Sequence, residues 1–528
     1  MKLEHSLPKK YILAFDHGTS GIKAALVSIH GEVLDFVYEH TPVYFKDQGG
    51  AEQNPNEWWQ AILNTSKELL AKDLVPVEDI VAVSSSSQWS GTVAVDEQGE
   101  ALMNAIIWMD ARGAKYLKDK IFRGLIKISG YPLRDVIRFL YKTGGAPTHS
   151  GKDPIAHILF LKYEYPEIYE KTYKFLECID YLNLKFTGKF AASTTSIILH
   201  WITNNRDINN IRYDKSLINR LKVDGEKFPD LHSPTSILGD IKPEVADELG
   251  LNRDVKIAMG APDLQSAVIG SGAINDYQGH IYIGTSSWLI CHVPYKKTDI
   301  SHNIASIPSA IPGRYFVVNE QETAGASLSF LRDNLFYSDD EDRYGNSQVY
   351  QSFDKLVEQV PAGSNGVLFT PWLYGERTPV EDHKLRGSIF NLSLTSKRED
   401  IIRAAFEGVA YNSRWVLKYV EKFAKRKLNP LNIIGGGARS DVWCQIYADV
   451  LNRTIRQVKD PIQANARGAA LIASVALGYI EFEDIPNLTQ ISQTFTPNPE
   501  NVKLYDSLFK EFLLLYKNNK KAYHRLNR

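Results

Sequence analysis

Two short turns rich in glycine and hydroxyl side chains are the first features of the sequence that could do chemistry. The first, Gly18–Ser20, follows the apolar run Tyr11–Phe15, and the second, Gly284–Ser286, follows the apolar run His280–Ile283. Glycine lets the backbone approach a ligand closely, and consecutive backbone N–H groups at a tight turn attract anions. The two turns therefore predict a site that holds a polyphosphate from both sides.

The two turns differ at one position that bears on metal binding. Asp16 lies two residues before the first glycine, whereas Tyr282 lies two residues before the second. A carboxylate beside a phosphate is repelled unless a cation lies between them, and Mg²⁺ commonly has that role. The sequence therefore predicts a Mg²⁺ site at Asp16, in the first turn only.

Asp263 is the strongest candidate for an acid–base group. It ends the segment Val255–Pro262, which has the apolar pattern of a strand. The carboxyl ends of strands are where ligands bind in α/β proteins, so a carboxylate there suits catalysis. The same residue could also cap the helix that follows, a common use of aspartate, and the two roles are compatible.

A glycine-rich turn late in the chain could accommodate a nucleotide. The apolar run Leu431–Ile434 leads into Gly435–Gly437, and an amphipathic helix is predicted over Asp441–Leu451. Glycines leave a flat slot because they lack side chains, although a purely structural turn would look the same. The spacing is not G-x-G-x-x-G, which makes a dinucleotide dehydrogenase the weaker interpretation.

Two clusters of aromatic and polar residues in the first half are typical of sugar pockets. They are Gln88–Gly91 and Ile107–Arg112, and each follows a predicted strand. Tryptophan is more often buried in a core than turned toward a ligand. The clusters alone therefore leave both interpretations open.

The composition disfavours several classes of protein. The chain has 528 residues, with 61 Lys and Arg against 62 Asp and Glu, and so lacks the basic excess typical of nucleic-acid binding. Its three cysteines lie far apart, which argues against a disulfide framework or a thiolate zinc site. No apolar run reaches the roughly 20 residues that span a bilayer, and residues 1–10 lack the apolar core of a secretory signal. We therefore expect a cytoplasmic protein without nucleic-acid or membrane partners.

The predicted elements place the candidate residues in two related halves. Gly18 and Gly284 are 266 positions apart, close to half of the 528 residues, and each turn joins two apolar runs. Strands such as Ile80–Ser84 alternate with helical patterns such as Pro55–Leu70 and Arg398–Phe423. This alternation predicts an α/β fold.

The boundary between the halves is expected in a short connection near Ala273, because no low-complexity linker interrupts the chain. The predicted domains are residues 1–272 and 273–528, with a cleft between them. Flanking strands also suggest that Ser84–Ser87 is an ordered loop and not a flexible linker.

With these elements in order, the chain resembles the FGGY carbohydrate kinases, and among them the xylulokinase-like members. The resemblance runs from Tyr11 to about Ile480. FDHGTSGIKAAL resembles the first phosphate motif of the family, HIYIGTSSWL the second, and NIIGGGARSDVWCQIYADVLNR the adenosine motif. GVLFTPWLYGERTPVEDHKLRGSIFNLSL is similar to a family signature, and IIRAAFEGVAYNSRW resembles the helix after it. Together these segments are far more specific than any single motif.

The resemblance implies a fold of two related α/β domains of the actin-like ATPase (ribonuclease H-like) type. The first domain would bind the sugar and the second would bind most of the ATP, with Mg²⁺ organised by Asp16. Asp263 would be the general base, a role that needs little pKa tuning because phosphoryl transfer depends chiefly on positioning and charge neutralisation. Dimers are frequent in the family, so a homodimer is the assembly that the resemblance suggests.

The resemblance also assigns the remaining site residues. The implied phosphate and nucleotide contacts are Gly18, Thr19, Ser20, Lys23, Gly284, Thr285, Gly325, Gly436, Gly437 and Asp441. The implied sugar contacts are Gln88, Trp89, Ser90, Trp108 and Asp263. Asp441 could equally cap its own helix.

Several positions depart from the family pattern at the sugar site. Trp89–Ser90 stand where xylulokinases typically have Met-His and glycerol kinases have Arg-Glu, and Leu264 follows the predicted base where glycerol kinases carry glutamine. A site that lacks a hydrogen-bond partner for a hydroxyl discriminates poorly in favour of that hydroxyl. The resemblance makes xylulose the leading acceptor. Because of these departures, gluconate, ribulose, fuculose, glycerol or another polyol remain alternatives.

Two interpretations without sugar phosphorylation also remain open. One is a sugar sensor that has lost catalysis, which the retained base and phosphate positions disfavour. The other is an actin-like or chaperone ATPase that acts without a sugar, which would leave the tryptophan-bearing loops unexplained.

Overall fold

Two mixed sheets organise the part of the chain that the computed structural model describes, residues 9–124, 126–128, 130–336 and 347–527. The first sheet has six strands in the order Ile237–Asp240, Lys256–Pro262, Ile80–Ser87, Tyr11–Gly18, Gly21–Ser28 and Val33–His40. The second has eight strands in the order Thr298–Asp299, Ile304–Pro308, Tyr315–Val318, Ser287–Val293, Gly279–Ile283, Leu431–Ile434, Ile455–Val458 and Ile491–Phe495.

The first sheet and six consecutive strands of the second sheet repeat one pattern. In each, an antiparallel hairpin around a Gly-Thr-Ser turn lies beside two parallel strands. A further antiparallel strand extends the hairpin, and another closes the opposite edge. The predicted internal duplication is therefore confirmed in the topology of the sheets.

Helices flank both sheets, as the α/β prediction requires. They are Ala114–Tyr116, Leu133–Lys142, Pro154–Glu164, Pro166–Lys171, Cys178–Thr187, Lys215–Leu221, Pro243–Leu249, Asp263–Gly270, Gly325–Leu331, Ser347–Glu358, Arg398–Ala424, Asp441–Leu451, Ala464–Ala476, Ile485–Leu488 and Pro499–Leu526, together with the first long helix, Pro55–Leu70. Short strand pairs are Val93–Val95 with Lys174–Leu176, Lys127–Ile128 with Tyr131–Pro132, Ala191–Ser193 with Asp230–His232, Thr203–Asn204 with Arg212–Tyr213, and Leu368–Thr370 with Ser388–Phe390. A small three-stranded sheet consists of Tyr44–Lys46, Gly50–Gln53 and Ala105–Ile106.

None of the helices in these described ranges combines the length and apolarity needed to cross a bilayer.

The helix Pro55–Leu70 shows how local sequence sets an element. The side chain of Asn54 accepts the backbone N–H of Asn56 at 3.0 Å, and Pro55 starts the first turn, where its missing N–H is not needed. Trp58 and Ile62 are buried one turn apart, on the face that packs against the first sheet. The predicted bounds of this helix are confirmed.

The expectation that Ser84–Ser87 forms a loop is wrong. These serines continue the strand Ile80–Ser87, which is a central strand paired in parallel with Tyr11–Gly18 on one side and Lys256–Pro262 on the other. Serine has a weak preference for strands, but pairing with a neighbouring strand on each side holds the segment in the sheet. The sheet therefore overrides the local propensity.

The helix Ala464–Ala476 crosses from the second half onto the first sheet. Its alanines pack on an apolar face of that sheet that includes Ile12, Val27 and Ala258. It also contacts the helix Asp263–Gly270 so closely that a Cβ added at Gly468 would lie 1.8 Å from the Ser266 carbonyl oxygen. The two halves are thus joined by backbone-to-backbone packing as well as by the chain.

Candidate active site

The first hairpin turn holds an ion pair. The Asp16 carboxylate, which is buried, accepts hydrogen bonds from Lys23 Nζ at 2.8 Å and from Asn465 Nδ2 at 3.2 Å. Burial alone would lower the pKa of the Lys23 ammonium, but the adjacent Asp16 carboxylate raises it above its ordinary value. Lys23 is therefore a cation at the predicted phosphate turn. Asn465 was not predicted, because its helix follows Asp16 by more than 400 residues.

The same turn is hydrogen-bonded to the predicted sugar loops. Thr19 Oγ1 donates to Gln88 Oε1 at 3.1 Å and accepts from Trp108 Nε1 at 2.9 Å. The Gln88 amide in turn donates to Gln53 Oε1 at 2.7 Å. The structure thus brings together three residues from separate motifs, Thr19, Gln88 and Trp108, and only the Trp108 ring among them combines a large surface with partial exposure.

Trp89 and Ser90 follow Gln88 in the chain, and both are buried. Trp89 is 6% exposed, its indole N–H donates to the Ser196 carbonyl at 2.9 Å, and its ring stacks on Phe316 with centroids 6.3 Å apart. Ser90 has a left-handed backbone with φ 68°, and its hydroxyl donates to the Lys152 carbonyl at 3.0 Å. The polar groups of both side chains are therefore engaged within the protein.

Asp263 lies where the strand Lys256–Pro262 ends and the helix Asp263–Gly270 begins. Its Oδ1 accepts the backbone N–H of Leu264 at 2.8 Å, so the carboxylate has a local role in the helix start while remaining partly exposed. Burial raises the pKa of Asp263 to about 8, against the hydrogen bond from Leu264, and the charges of Asp16 and Glu320 raise it further. The carboxyl group is thus within electrostatic range of the first hairpin turn and of the second half.

The second hairpin turn packs against the start of a helix. The backbone N–H of Gly325 donates to the Gly284 carbonyl at 2.8 Å, and that of Ala324 donates to the Thr285 carbonyl at 2.8 Å. A Cβ added at Gly325 would lie 2.6 Å from the same Gly284 carbonyl, so only glycine permits this approach. Thr285 remains exposed at the tip of the turn.

The glycine-rich turn lies beside the second hairpin. A Cβ at Gly435 would lie 2.5 Å from the Ile283 carbonyl oxygen, and one at Gly437 would lie 2.5 Å from Ile283 Cγ2. Gly436 differs, because a Cβ added there would meet none of the described atoms within 4 Å. The turn therefore has two glycines required by packing and one that faces open space.

Asp441 does not cap the helix that it begins. Ser440 has that role, since its hydroxyl accepts the backbone N–H of Trp443 at 3.1 Å. The Asp441 side chain is exposed and accepts a hydrogen bond from Gln457 Nε2 at 2.9 Å. Its carboxylate is therefore available on the surface next to the glycine-rich turn.

A Gly436→Val substitution tests whether the open glycine faces the nucleotide. A Cβ at this position meets none of the described atoms within 4 Å, so the free energy of unfolding should change little. Its side chain would occupy the slot, and we expect the dissociation constant of ATP to rise roughly tenfold or more, equivalent to about 1.4 kcal/mol. Calorimetric titration with ATP measures the effect, and Gly437→Val, which should destabilise the fold by collision with Ile283, is the contrasting variant. An unchanged ATP affinity in Gly436→Val would remove Gly436 from the nucleotide site.

A group of charged residues at the cleft was not singled out by sequence reasoning. Arg377 pairs with Glu320 and with Glu322, the latter at 2.9 Å, and Lys152 lies within electrostatic range of all three. Arg377 could have been found from the sequence, because it belongs to the GERTP segment, which is part of the family resemblance. Lys152 lies in no motif, and only the fold brings it to this position.

The residues at the first turn suit a Mg²⁺ ion that is held largely by phosphates. In the described ranges, no group of three or more His, Cys, Asp or Glu side chains is placed to cage a metal. Mg²⁺ at phosphoryl-transfer sites is usually bound through one or two carboxylates together with water and substrate phosphates. Asp16, at the first turn, supplies the carboxylate of such a donor set.

Comparison with known proteins agrees with this geometry. The model of the "FGGY family of carbohydrate kinases, N-terminal domain" matches residues 11–270, and that of the C-terminal domain matches residues 279–477. The chain is 29% identical over 517 residues to a xylulose kinase of Staphylococcus epidermidis, covering 97% of each chain.

Solved structures extend the match to the fold. A gluconate kinase from Lactobacillus acidophilus superposes with a TM-score of 0.84 at 26% identity, covering 98% of this chain and 100% of the other. A ligand-bound xylulose kinase from the same species gives a TM-score of 0.83 at 26% identity with the same coverage. The two-domain fold of the actin-like ATPase type is thereby confirmed, and the chain belongs to the FGGY family of carbohydrate kinases.

Proposed function

We propose that this carbohydrate kinase transfers the γ-phosphoryl group of ATP to a hydroxyl of xylulose, with Asp263 as the general base. The observation that carries the proposal is the position of Asp263, partly exposed at a strand end, within electrostatic range of Asp16 and Tyr282 of the two hairpins. The matched xylulose kinases support this acceptor. The division into a sugar-binding half, residues 1–272, and an ATP-binding half, residues 273–528, is part of the proposal.

In the proposed reaction the sugar hydroxyl attacks the γ-phosphorus, and its proton passes to the Asp263 carboxylate. A bond forms between the sugar oxygen and phosphorus, while the bond to the β-phosphate oxygen breaks and ADP leaves. The backbone N–H groups of the Gly18 and Gly284 turns, with Lys23 nearby, would hold the phosphates in line with the sugar. Bound Mg²⁺ would neutralise developing phosphate charge. Closure of the cleft would exclude water as a competing acceptor.

Gluconate is the second candidate acceptor. A gluconate kinase is among the solved structures most similar to this chain. In addition, the ammonium group of Lys152 at the cleft has no hydrogen-bond or ion-pair partner among the residues described, a feature that suits a carboxylate. Both acceptors are polyhydroxylated, so the same base and phosphate site would serve either.

The test is coupled measurement of ADP release with a panel of xylulose, ribulose, fuculose, gluconate and glycerol. We expect turnover that depends on the sugar and is fastest with xylulose. Fastest turnover with gluconate would select the second candidate. ADP release that is independent of every sugar would indicate an ATPase, and sugar binding without turnover would indicate a sensor.

We also propose the reducing cytoplasm as the setting of this enzyme. Cys178, Cys291 and Cys444 are free thiols in the interior of the protein, and burial raises the pKa of each. Neutral buried thiols of this kind are unreactive and need no oxidising partner. The homodimer suggested by the family resemblance stays a prediction.

A further inference from the structure

Lys152 places an ammonium group at the cleft. Its ammonium nitrogen lies 5.9 Å from the centroid of the Trp108 ring and 5.3 Å from that of the Tyr374 ring. In the described part of the chain no acceptor lies within hydrogen-bond distance of this nitrogen. Trp108 belongs to the first half and Tyr374 to the second, so the ammonium lies between the two halves.

The carboxylates whose charges act on Lys152 are already paired with another cation. Arg377 donates to Glu322 Oε1 from Nε at 3.0 Å and also binds Glu320. Burial lowers the pKa of Lys152 and Arg377 lowers it further, against the attraction of Glu322 and Glu320. The charges of Glu322 and Glu320 thus stabilise an ammonium group at this position, but neither side chain accepts a hydrogen bond from it.

Contacts on both sides hold the backbone at Lys152 in place. Its carbonyl accepts the Ser90 hydroxyl at 3.0 Å. The preceding Gly151 has φ 75°, and a Cβ there would lie 2.3 Å from the backbone nitrogen of Ala114. Trp108 is hydrogen-bonded to Thr19, and the Lys152 ammonium near its ring therefore lies beside the predicted sugar site.

An ammonium group has three N–H donors, and leaving them without acceptors in a partly buried place is unfavourable. The cation–π contacts offset part of this cost but accept none of the directional hydrogen bonds. A polyhydroxylated acceptor that enters the cleft would bring oxygen atoms to these donors.

We infer that Lys152 binds an oxygen atom of the acceptor substrate and is a specificity-determining residue of this kinase. The inference rests on the proposed function, because it takes the Trp108 region as the acceptor site. The bound oxygen belongs to the part of the acceptor remote from the hydroxyl that Asp263 deprotonates. It is a hydroxyl oxygen in a neutral ketose and a carboxylate oxygen in an aldonate.

The test compares Lys152→Met with the wild-type enzyme by calorimetric titration and by steady-state kinetics. Methionine keeps an unbranched apolar stem between Trp108 and Tyr374 but removes the donors. We expect the Kd and KM of the acceptor to rise roughly 10-fold for xylulose and nearer 100-fold for gluconate, as for a lost hydrogen bond to a charged group. The KM of ATP should be unchanged, and Lys152→Arg should recover part of the acceptor affinity.

Lys120→Met is the matched control, because Lys120 is exposed and its ammonium lies 5.2 Å from the centroid of the Tyr163 ring. It removes a comparable cation–π contact and should leave the acceptor KM unchanged. Equal acceptor affinity in wild type and Lys152→Met would overturn the inference, as would an equal rise in the KM of ATP and of acceptor. A wild-type enzyme that binds no member of the sugar panel would overturn the proposed function and this inference together.

Discussion

Replacing Asp263 with asparagine is expected to lower kcat for sugar phosphorylation by roughly 10²–10⁴-fold, the usual contribution of a positioned general base. Asparagine has nearly the shape of aspartate, and its side-chain oxygen can still accept the N–H of Leu264, so the helix start should be kept. The amide cannot take the proton of the attacking hydroxyl. Coupled ADP release measures the rate, and calorimetric titration should show unchanged ATP binding.

The pH dependence of the wild-type enzyme provides an independent check of the same residue. Because burial raises the pKa of Asp263 to about 8, the base is largely protonated at lower pH and becomes ionised as the pH rises. We therefore expect kcat/KM for the sugar to increase with pH up to about 8, and this rise should be absent in the residual activity of Asp263→Asn. Asp240→Asn is the control, since Asp240 is exposed and pairs only with Lys256 at 2.5 Å in the described structure. Undiminished turnover in Asp263→Asn would end the assignment of the base.

Replacing Gly468 with alanine is expected to lower the free energy of unfolding by about 3 kcal/mol, at the upper end for overpacking. The added methyl carbon would lie 1.8 Å from the Ser266 carbonyl oxygen, a backbone atom that cannot rotate away. The helices Ala464–Ala476 and Asp263–Gly270 would have to separate. Since Asp263 begins one of these helices, kcat should fall as well. Denaturant unfolding and coupled ADP release measure the two effects.

Gly478→Ala is the matched control for this substitution. Its added methyl group meets no atom of the described residues within 4 Å, so its cost comes from a backbone φ of 75°. A cost of about 1 kcal/mol is typical of that conformation, and activity should be kept. If the two alanine variants were equally stable and equally active, the close helix contact at Gly468 would have no energetic importance.

The fold was largely accessible from the sequence because its signals are local and repeated. The Gly-Thr-Ser turns, each between two apolar runs, predicted both hairpins, and the helices Pro55–Leu70 and Asp441–Leu451 have the predicted bounds. Ser84–Ser87 was misjudged because its strand conformation comes from pairing on both sides, which no local pattern records. Propensity is a weak guide where tertiary pairing satisfies the backbone.

The sequence pointed to individual residues of the candidate site, but not to the surroundings that the fold gives them. Asp16, Thr19 and Asp263 belong to motifs, whereas Lys152 and Asn465 reach the site from segments without one. The sequence led us to expect little pKa tuning of Asp263, yet burial raises its pKa to about 8. Burial and the charges of distant residues depend on the assembled fold, so a motif cannot report them.

The position of the helix Ala464–Ala476 also sets an order of events during synthesis of the protein. A ribosome releases the strands of the first sheet early, but the residues that cover their apolar face end at position 476 of 528. Until then that face, which includes Ile12 and Val27, has no cover from its native partner. This face of the first sheet can therefore be covered only after residue 476 has been made, and a chain that stops before residue 464 would expose an apolar surface and be a substrate for chaperones.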